Sequence, residues 1–296
     1  MTSRPRVWVV TGASAGFGRE LVRAILARGD KVIATARNPA KLEQNGARTL
    51  KLDVTAPLRD IQEIAKEAVA VYGRVDVLIN NAGYFQMGTV EESTPDQTIM
   101  QFNTNVFGTM NVTRAFLPYM RDQRSGTIIN FGSIAGWRSF PICSLYSASK
   151  FAVAGFTLGL KAEVEPFGIE VTCVEPGYFA TSFLDQQHAI PTTEGHVKDY
   201  DQIRTQTVNF FNQVHGNQPG DPVKGAQRVI EVVTRSGHAA GKKTLPGRLI
   251  LGRDGYGIVL QNMKEWESDM QEWKDWTFDC WRDDVPLPGN ESNMPH

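Results

Sequence analysis

The sequence predicts an α/β fold: a single doubly wound parallel sheet of about seven strands, helices on both faces, and a helical extension at the C-terminal end. Three observations predict it. Short β-branched runs alternate with longer amphipathic segments along the chain. The runs are apolar on both faces, as strands covered by helices on two sides must be. A glycine-rich turn directly follows the first run. Right-handed crossovers then carry the intervening helices to the two faces of one sheet.

In chain order, residues 7–11 read as the first buried strand, and the turn after them leads into an amphipathic helix through Ala27. Residues 31–36 form a second strand and 48–53 a third; 61–72 are helical and 75–80 are the fourth strand. Residues 96–120 keep helical periodicity throughout, 127–131 form the fifth strand, 144–165 a long helix and 170–174 the sixth strand. No internal repeat or low-complexity linker interrupts this rhythm, so residues 1–252 read as one domain.

Two segments depart from it. Residues 183–222 are polar and irregular, with Phe210 and Phe211 embedded, the character of a lid over a binding site. In the extension, residues 253–296, an apolar stripe (Leu260, Met263, Trp266, Met270, Trp273) recurs at helical spacing and reads as a packing face for the same domain or for a partner subunit. The last residues, with Pro286, Pro288 and Pro295, read as an unstructured tail.

Bulk properties narrow the function. The 296 residues are 41% hydrophobic and 21% charged, with a formal net charge of −1. Nothing in that balance draws the chain to nucleic acid or an anionic membrane. Cys143, Cys173 and Cys280 are far apart and read as free thiols. His188, His196 and His215 have no metal-ligand spacing, so no metal is expected. No apolar run approaches the roughly 18 residues of a membrane span, no signal peptide is read at the start, and the expected location is cytoplasmic.

The turn after the first strand runs Thr11-Gly12-Ala13-Ser14-Ala15-Gly16-Phe17-Gly18. Its glycines let backbone approach a pyrophosphate, and the helix that follows aims free N–H groups and a partial positive charge at the same anion. The second strand ends Ala36-Arg37-Asn38, without the carboxylate that commonly binds a ribose 2′-hydroxyl. Arg37 stands where it could clamp a 2′-phosphate, which points to NADP(H) rather than NAD(H).

Tyr146 and Lys150 are four residues apart and share a helix face; Ser133 lies thirteen positions before the tyrosine, at the end of the fifth strand. The carboxyl ends of parallel strands are where such sheets bind ligands. A phenol beside an ammonium can exchange protons with an alcohol or carbonyl oxygen, because the cation favours phenolate and should lower a pKa that is otherwise about 10.

With these pieces in order, the chain resembles the short-chain dehydrogenase/reductase superfamily over roughly residues 6–252. The resemblance rests on the Thr11–Gly18 turn, Asp53-Val54, Asn80-Asn81-Ala82-Gly83, Asn105 in Asn-Val-Phe-Gly, Ser133, Tyr146, Lys150, and Pro176-Gly177 followed by Thr181. It implies a Rossmann fold and an NADP(H)-dependent oxidoreductase acting on a small hydrophobic carbonyl or alcohol. Tyr146 would be the proton donor or acceptor, Ser133 would bind the substrate oxygen, Lys150 would bind the nicotinamide ribose, and Asn105 would help hold a proton-carrying water chain. Gly12, Ser14, Gly16, Phe17, Gly18 and Arg37 would contact the phosphates and ribose. Asp53 and Val54 would lie by the adenine; Asn80, Ala82 and Gly83 would line the cleft, Asn80 also supporting the sheet. Phe179 and Thr181 would approach the carboxamide.

The substrate pocket would lie beside Ser133 and Tyr146, with Trp137, Phe140, Tyr178 and Phe183 as walls and Ile142, Phe210 and Phe211 as further candidates. Hydroxysteroid and retinol dehydrogenases and microbial ketoreductases are relatives of this kind. An NADP-binding regulator without turnover, or a biosynthetic enzyme reducing an imine, fits the same residues. A homo-oligomer is also compatible with them.

Overall fold

A computed structural model describes residues 4–42, 46–184 and 195–282, with residues 189–191 described as backbone. Seven strands form one sheet: β1 (Val7–Val10), β2 (Lys31–Ala36), β3 (Arg48–Lys51), β4 (Val77–Asn80), β6 (Gly126–Phe131), β7 (Ile169–Pro176) and β9 (Arg248–Leu251). Their order is β3-β2-β1-β4-β6-β7-β9, every pairing parallel. The order reverses between β1 and β4, the topological switch point where ligands bind such sheets.

The period-two alternation of the strands sorts their side chains into two cores. Trp8 and Val10 of β1, with Ile79 and Ile129, meet Leu21 and Ile25 of α1 (Gly16–Ala27) and Val229 and Ile230 of α7 (Pro222–Thr234). Val7 and Val9, with Leu78, Ile128 and Val171, meet Ile61 of α2 (Leu58–Tyr72), Phe116 of α4 (Thr109–Gln123) and Leu160 of α5 (Ser144–Val164). The sheet is thus covered on both faces.

Three segments differ from the sequence-based expectation. The helix expected over residues 96–120 is two helices, α3 (Pro95–Phe102) and α4, joined by a π-turn over Asn103–Gly108. Hydrophobic spacing runs through the junction unbroken, so periodicity alone cannot reveal it. α3 starts at a capping box in which Thr94 and Gln97 bond reciprocally, with Pro95 in the first turn.

The segment 183–222 is not irregular throughout. It contains β8 (Ala189–Pro191), which pairs with β5 (Phe85–Met87), and a fourteen-residue helix, α6 (Asp201–Val214). On α6, Arg204 occupies an inward position where an amphipathic pattern would place an apolar residue, and it ion-pairs with the buried Glu92. That polar inner contact is why the helix lacks an apolar signature.

In α8 (Arg253–Glu272), which is followed by α9 (Lys274–Phe278), the buried positions are Gly255, Val259 and Asn262. The stripe expected as a packing face is offset from them by about one residue: Leu260, Met263, Met270 and Trp273 are exposed, and Trp266, though 43% exposed, stacks on Trp137 at 6.2 Å. Among the described residues, Trp266 is the member of that stripe with a ring contact to the domain. No helix among the described residues is long and apolar enough to cross a membrane.

Candidate active site

The phosphate-type turn is tied to the end of β4. The Thr11 hydroxyl accepts from the Asn81 and Ala82 N–H groups, each at 3.0 Å, and the Asn81 amide donates to the Thr11 and Gly12 carbonyls at 3.0 and 3.1 Å. Gly12 has φ +64°, and a Cβ there would lie 2.8 Å from Ala82 Cα, so no other residue fits. Ser14 is half-buried in the same turn, and Gly18 packs against the Gly12 carbonyl. Phe17 packs below, its ring 4.9 Å from Phe179 and 5.5 Å from Phe131. Thr181 lies 3.6 Å from the position a Gly16 Cβ would take, so the loop after β7 closes on the turn.

These residues fit a dinucleotide. α1 begins at Ala15 with no side-chain cap and no acidic residue in its first turn, leaving its leading N–H groups to an anion. Arg37 is exposed at the end of β2 and has no hydrogen bond or ion pair among the described residues. Asp53 binds the Thr55 N–H and hydroxyl through one oxygen, at 2.9 and 2.7 Å. Val54 is buried against Gly108, and the Asn80 amide turns inward to Thr113 and Asn130, at 3.0 and 2.9 Å. Ala82 is half-buried and Gly83 exposed.

Tyr146, in the first turn of α5, is buried, and its hydroxyl faces the Ser133 side chain. Lys150 follows one turn later, also buried. Its Nζ donates to the Phe131 carbonyl at 2.7 Å and stands 5.7 Å from the Tyr146 ring centroid. Burial pulls the ammonium down to about 8, against the opposing influence of Cys173 and Glu175. The phenol does not behave as the Tyr-Lys spacing alone suggests. Burial raises its pKa, only partly offset by the neighbouring Ser133 hydroxyl, with Cys143 and Tyr178 adding to the rise. In this state Lys150 is turned to Phe131, and desolvation dominates at the phenol.

Asn105 lies in the π-turn, a helix irregularity frequent at functional sites. Its Oδ1 accepts from the Tyr84 N–H at 3.1 Å; its Nδ2 donates to the Tyr84 carbonyl at 3.0 Å and to Ser149 Oγ at 3.1 Å. Ser149 in turn donates to the Tyr146 carbonyl at 2.6 Å. Asn105 Oδ1 and Lys150 Nζ both lie within 4 Å of the point a Gly83 Cβ would occupy.

Around Tyr146 the structure gathers an apolar cluster. Phe85 stands edge-on to it at 5.0 Å, Phe183 lies at 5.8 Å, and Phe211 meets Phe85 at 5.7 Å. Phe140, Ile142 and Tyr178 belong to the same cluster, and Phe210 reaches it through Tyr178 at 6.1 Å. Ile142 has φ +57°, a costly conformation for a β-branched residue, and its carbonyl accepts from the Gly88 N–H at 2.8 Å. Trp137 is not part of this cluster. Its indole N–H donates to Glu175 at 2.8 Å and its ring lies 3.7 Å from the Arg248 guanidinium.

Sequence reasoning passed over Phe85 and Met87, whose only signal is an apolar alternation directly after Asn80–Gly83. It also passed over Ser149, Glu175 and Asp254, the last of which accepts from the Tyr178 N–H at 2.6 Å. The histidines are elsewhere: His196 faces Asp201 at 3.1 Å, His215 caps α6, and His188 lies outside the described residues. No metal-ligand group of three His, Cys, Asp or Glu occurs among the described residues, and all three cysteines are free thiols.

Comparison with known proteins places this arrangement. Residues 6–190 match the family described as short chain dehydrogenase. The chain is 41% identical over 263 residues to a 3-ketodihydrosphingosine reductase of Bacteroides thetaiotaomicron, covering 89% of this chain and 96% of that one. It is 36% identical over 248 residues to an uncharacterised oxidoreductase, YusZ, of Bacillus subtilis, covering 78% and 85%. Among solved structures it is similar to a short-chain dehydrogenase from Streptomyces avermitilis, with TM-score 0.82, 35% identity, and coverage of 95% of this chain and 100% of that one. A serine dehydrogenase solved with NADP+ shares 27% identity and a TM-score of 0.68, covering 83% and 94%.

Proposed function

Because the chain belongs to the short-chain dehydrogenase family, we propose that this oxidoreductase uses NADPH to reduce a ketone carried on a long apolar chain, with Tyr146 as the proton donor. The observation that carries the reading is the Tyr146 hydroxyl, facing Ser133 and enclosed by aromatic rings with Lys150 one turn away. When bound, the nicotinamide cofactor supplies the hydride.

Tyr146 stays protonated at neutral pH because its burial disfavours phenolate. It can therefore give its proton to a carbonyl oxygen. Ser133 offers that same oxygen a second hydrogen bond as negative charge grows on it. Lys150 binds the nicotinamide ribose, and its charge stabilises the phenolate left after transfer. Asn105 holds the backbone between β4 and β5 at the point where protons would return toward Lys150.

The coenzyme choice rests on Arg37, which has no competing partner among the described residues and no carboxylate beside it. The substrate class rests on the aromatic cluster and on a relative whose name describes reduction of a 3-keto lipid. The lid of this pocket includes Phe183 and α6, since Phe183 and Phe211 are among its walls. The test is oxidation of NADPH and NADH against 3-ketones of graded chain length, with Tyr146→Phe alongside. Turnover should rise with chain length, favour NADPH, and vanish in Tyr146→Phe while coenzyme binding persists. Coenzyme binding without turnover across the whole panel would instead support a regulator.

A further inference from the structure

Glu175 is a charged residue that the reading above leaves unused. It sits at the end of β7 and is wholly buried. Arg248, the first residue of β9, grips it: Nε donates to the two carboxylate oxygens at 3.1 and 3.0 Å. The Trp137 indole donates to it at 2.8 Å, and the Arg248 guanidinium lies 3.7 Å from that indole ring. The same Arg248 donates through Nη2 to the Gly136 carbonyl at 2.8 Å.

We propose that Glu175 is a positioning residue: through Trp137 and Arg248 it clamps the turn of residues 132–137, so that Ser133 stays against the Tyr146 hydroxyl, and its charge supports the Lys150 ammonium nearby. The proposal rests on the roles assigned above to Tyr146, Ser133 and Lys150.

The turn needs an external clamp. It is a three-residue 3₁₀ segment, Ile134–Gly136, with Gly132 two residues before it and Gly136 as its last residue, and its one side-chain cap is Ser133 accepting from the Ala135 N–H at 3.1 Å. Glu175 meets the turn at its start, where a Cβ on Gly132 would lie 2.8 Å from Glu175 Cγ. Trp137 and the Gly136 carbonyl are held at its end. A buried ion pair is a poor way to stabilise a sheet, since apolar residues of similar volume often do as well or better. Apolar residues could not direct hydrogen bonds into the turn.

The Phe131 carbonyl that accepts from Lys150 Nζ adjoins Gly132, the residue against which Glu175 packs, so the ammonium and the carboxylate flank the same end of β6. Lys150 is faced by Tyr146 from its own helix, by Asn105 from the π-turn across Gly83, and by Cys173 and Glu175 from β7; Arg248 of β9 is bound to the same Glu175. Glu175 is the carboxylate in this set. Neutralising it alone leaves Lys150 and Arg248 as two cations without it.

The experiment compares kcat, KM, NADPH affinity and pH profile in Trp137→Phe, Glu175→Gln and the double variant Glu175→Gln/Arg248→Gln. Trp137→Phe keeps the charges and should lower kcat on the order of tenfold, with NADPH affinity and the alkaline limb unmoved. Glu175→Gln should lower kcat similarly and also move the alkaline limb to lower pH. The double variant removes both charges, so kcat should fall while the limb stays; with Trp137→Phe it decides the matter if Glu175→Gln does not fold. Parent-like kcat in folded Trp137→Phe, or a parent-like limb in folded Glu175→Gln, overturns the proposal. So does a loss seen wholly in NADPH affinity. An active Tyr146→Phe would instead overturn the underlying reading, and a parent-like Glu175→Gln beside an inactive Tyr146→Phe overturns this inference alone.

Discussion

Arg204 of α6 is ion-paired with Glu92, a buried carboxylate from the segment between β5 and α3. The same carboxylate accepts from the Val197 N–H at 2.9 Å and the Thr89 hydroxyl at 2.7 Å. Burial alone would raise its pKa, but those two bonds and Arg204 outweigh burial and hold it below the ordinary value, so the pair is charged at neutral pH. One and two turns beyond Arg204, Val208 and Phe211 join the cluster around Tyr146. Arg204→Met should therefore loosen the roof of the pocket: KM for long-chain ketones should rise several-fold, with NADPH affinity unchanged. Steady-state kinetics checks this, and an unchanged KM would mean that α6 is held by its apolar contacts alone.

The same pair explains which parts of the molecule could be read in advance. The strands could, because Val7 to Val10 and Ile128 to Ile129 are apolar in both directions and only a sheet covered on two sides hides them. Tyr146 and Lys150 could, because their relation is local to one helix turn. α6 could not, because its inward position 204 carries a charge whose partner is 112 residues away. Trp137, expected as a pocket wall, is close to Ser133 in the chain, but its indole is directed to Glu175 on another strand. Nothing local encodes a partner contributed by a distant element, and the same holds for Phe85, whose meeting with Tyr146 depends on how β5 leaves the sheet.

Arg37 has a consequence that can be measured without knowing the natural substrate. Its guanidinium is exposed with no hydrogen bond or ion pair among the described residues, and an exposed arginine adds little to folding stability; on the proposed reading it meets the 2′-phosphate. Arg37→Ala should raise the KM for NADPH about tenfold or more, the loss of one charge-assisted contact, and leave NADH kinetics and Tm unaltered. Equal losses with both coenzymes would place Arg37 outside the discriminating contact.

Lys150 links activity to pH. Its ammonium, drawn down to about 8 by burial, is neutralised in the folded chain at a pH where an unfolded chain, near 10.5, still carries the charge. Because kcat/KM reports the groups of the free enzyme, it should fall as pH rises through about 8. The stability effect has the opposite sign. The penalty for burying the ammonium is complete below that pH and is relieved between it and 10.5, so Lys150 favours folding more at pH 10 than at pH 7. Lys150→Met should abolish the alkaline limb of whatever activity remains, weaken coenzyme binding, and flatten the rise in denaturant midpoint over the same range.

Asn105 offers a sharper test of how the site handles protons. Its three side-chain bonds fasten the π-turn to Tyr84 on one side and to Ser149 on the other. Asn105→Ala leaves the Tyr84 backbone and Ser149 without those partners and should cost about 1–3 kcal/mol of stability, with a fall in kcat. Asn105→Asp separates geometry from charge. Asparagine Oδ1 and Lys150 Nζ flank Gly83 at 3.1 and 3.8 Å from a single point, so a carboxylate in place of the amide sits no more than about 7 Å from the ammonium. The carboxylate can still accept from the Tyr84 N–H, but it cannot donate to the Tyr84 carbonyl or to Ser149. A nearby anion favours the protonated lysine, which moves the alkaline limb of kcat/KM to higher pH even as maximal turnover falls. If the limb stays near pH 8 in a folded Asn105→Asp enzyme, the group that titrates there is not Lys150.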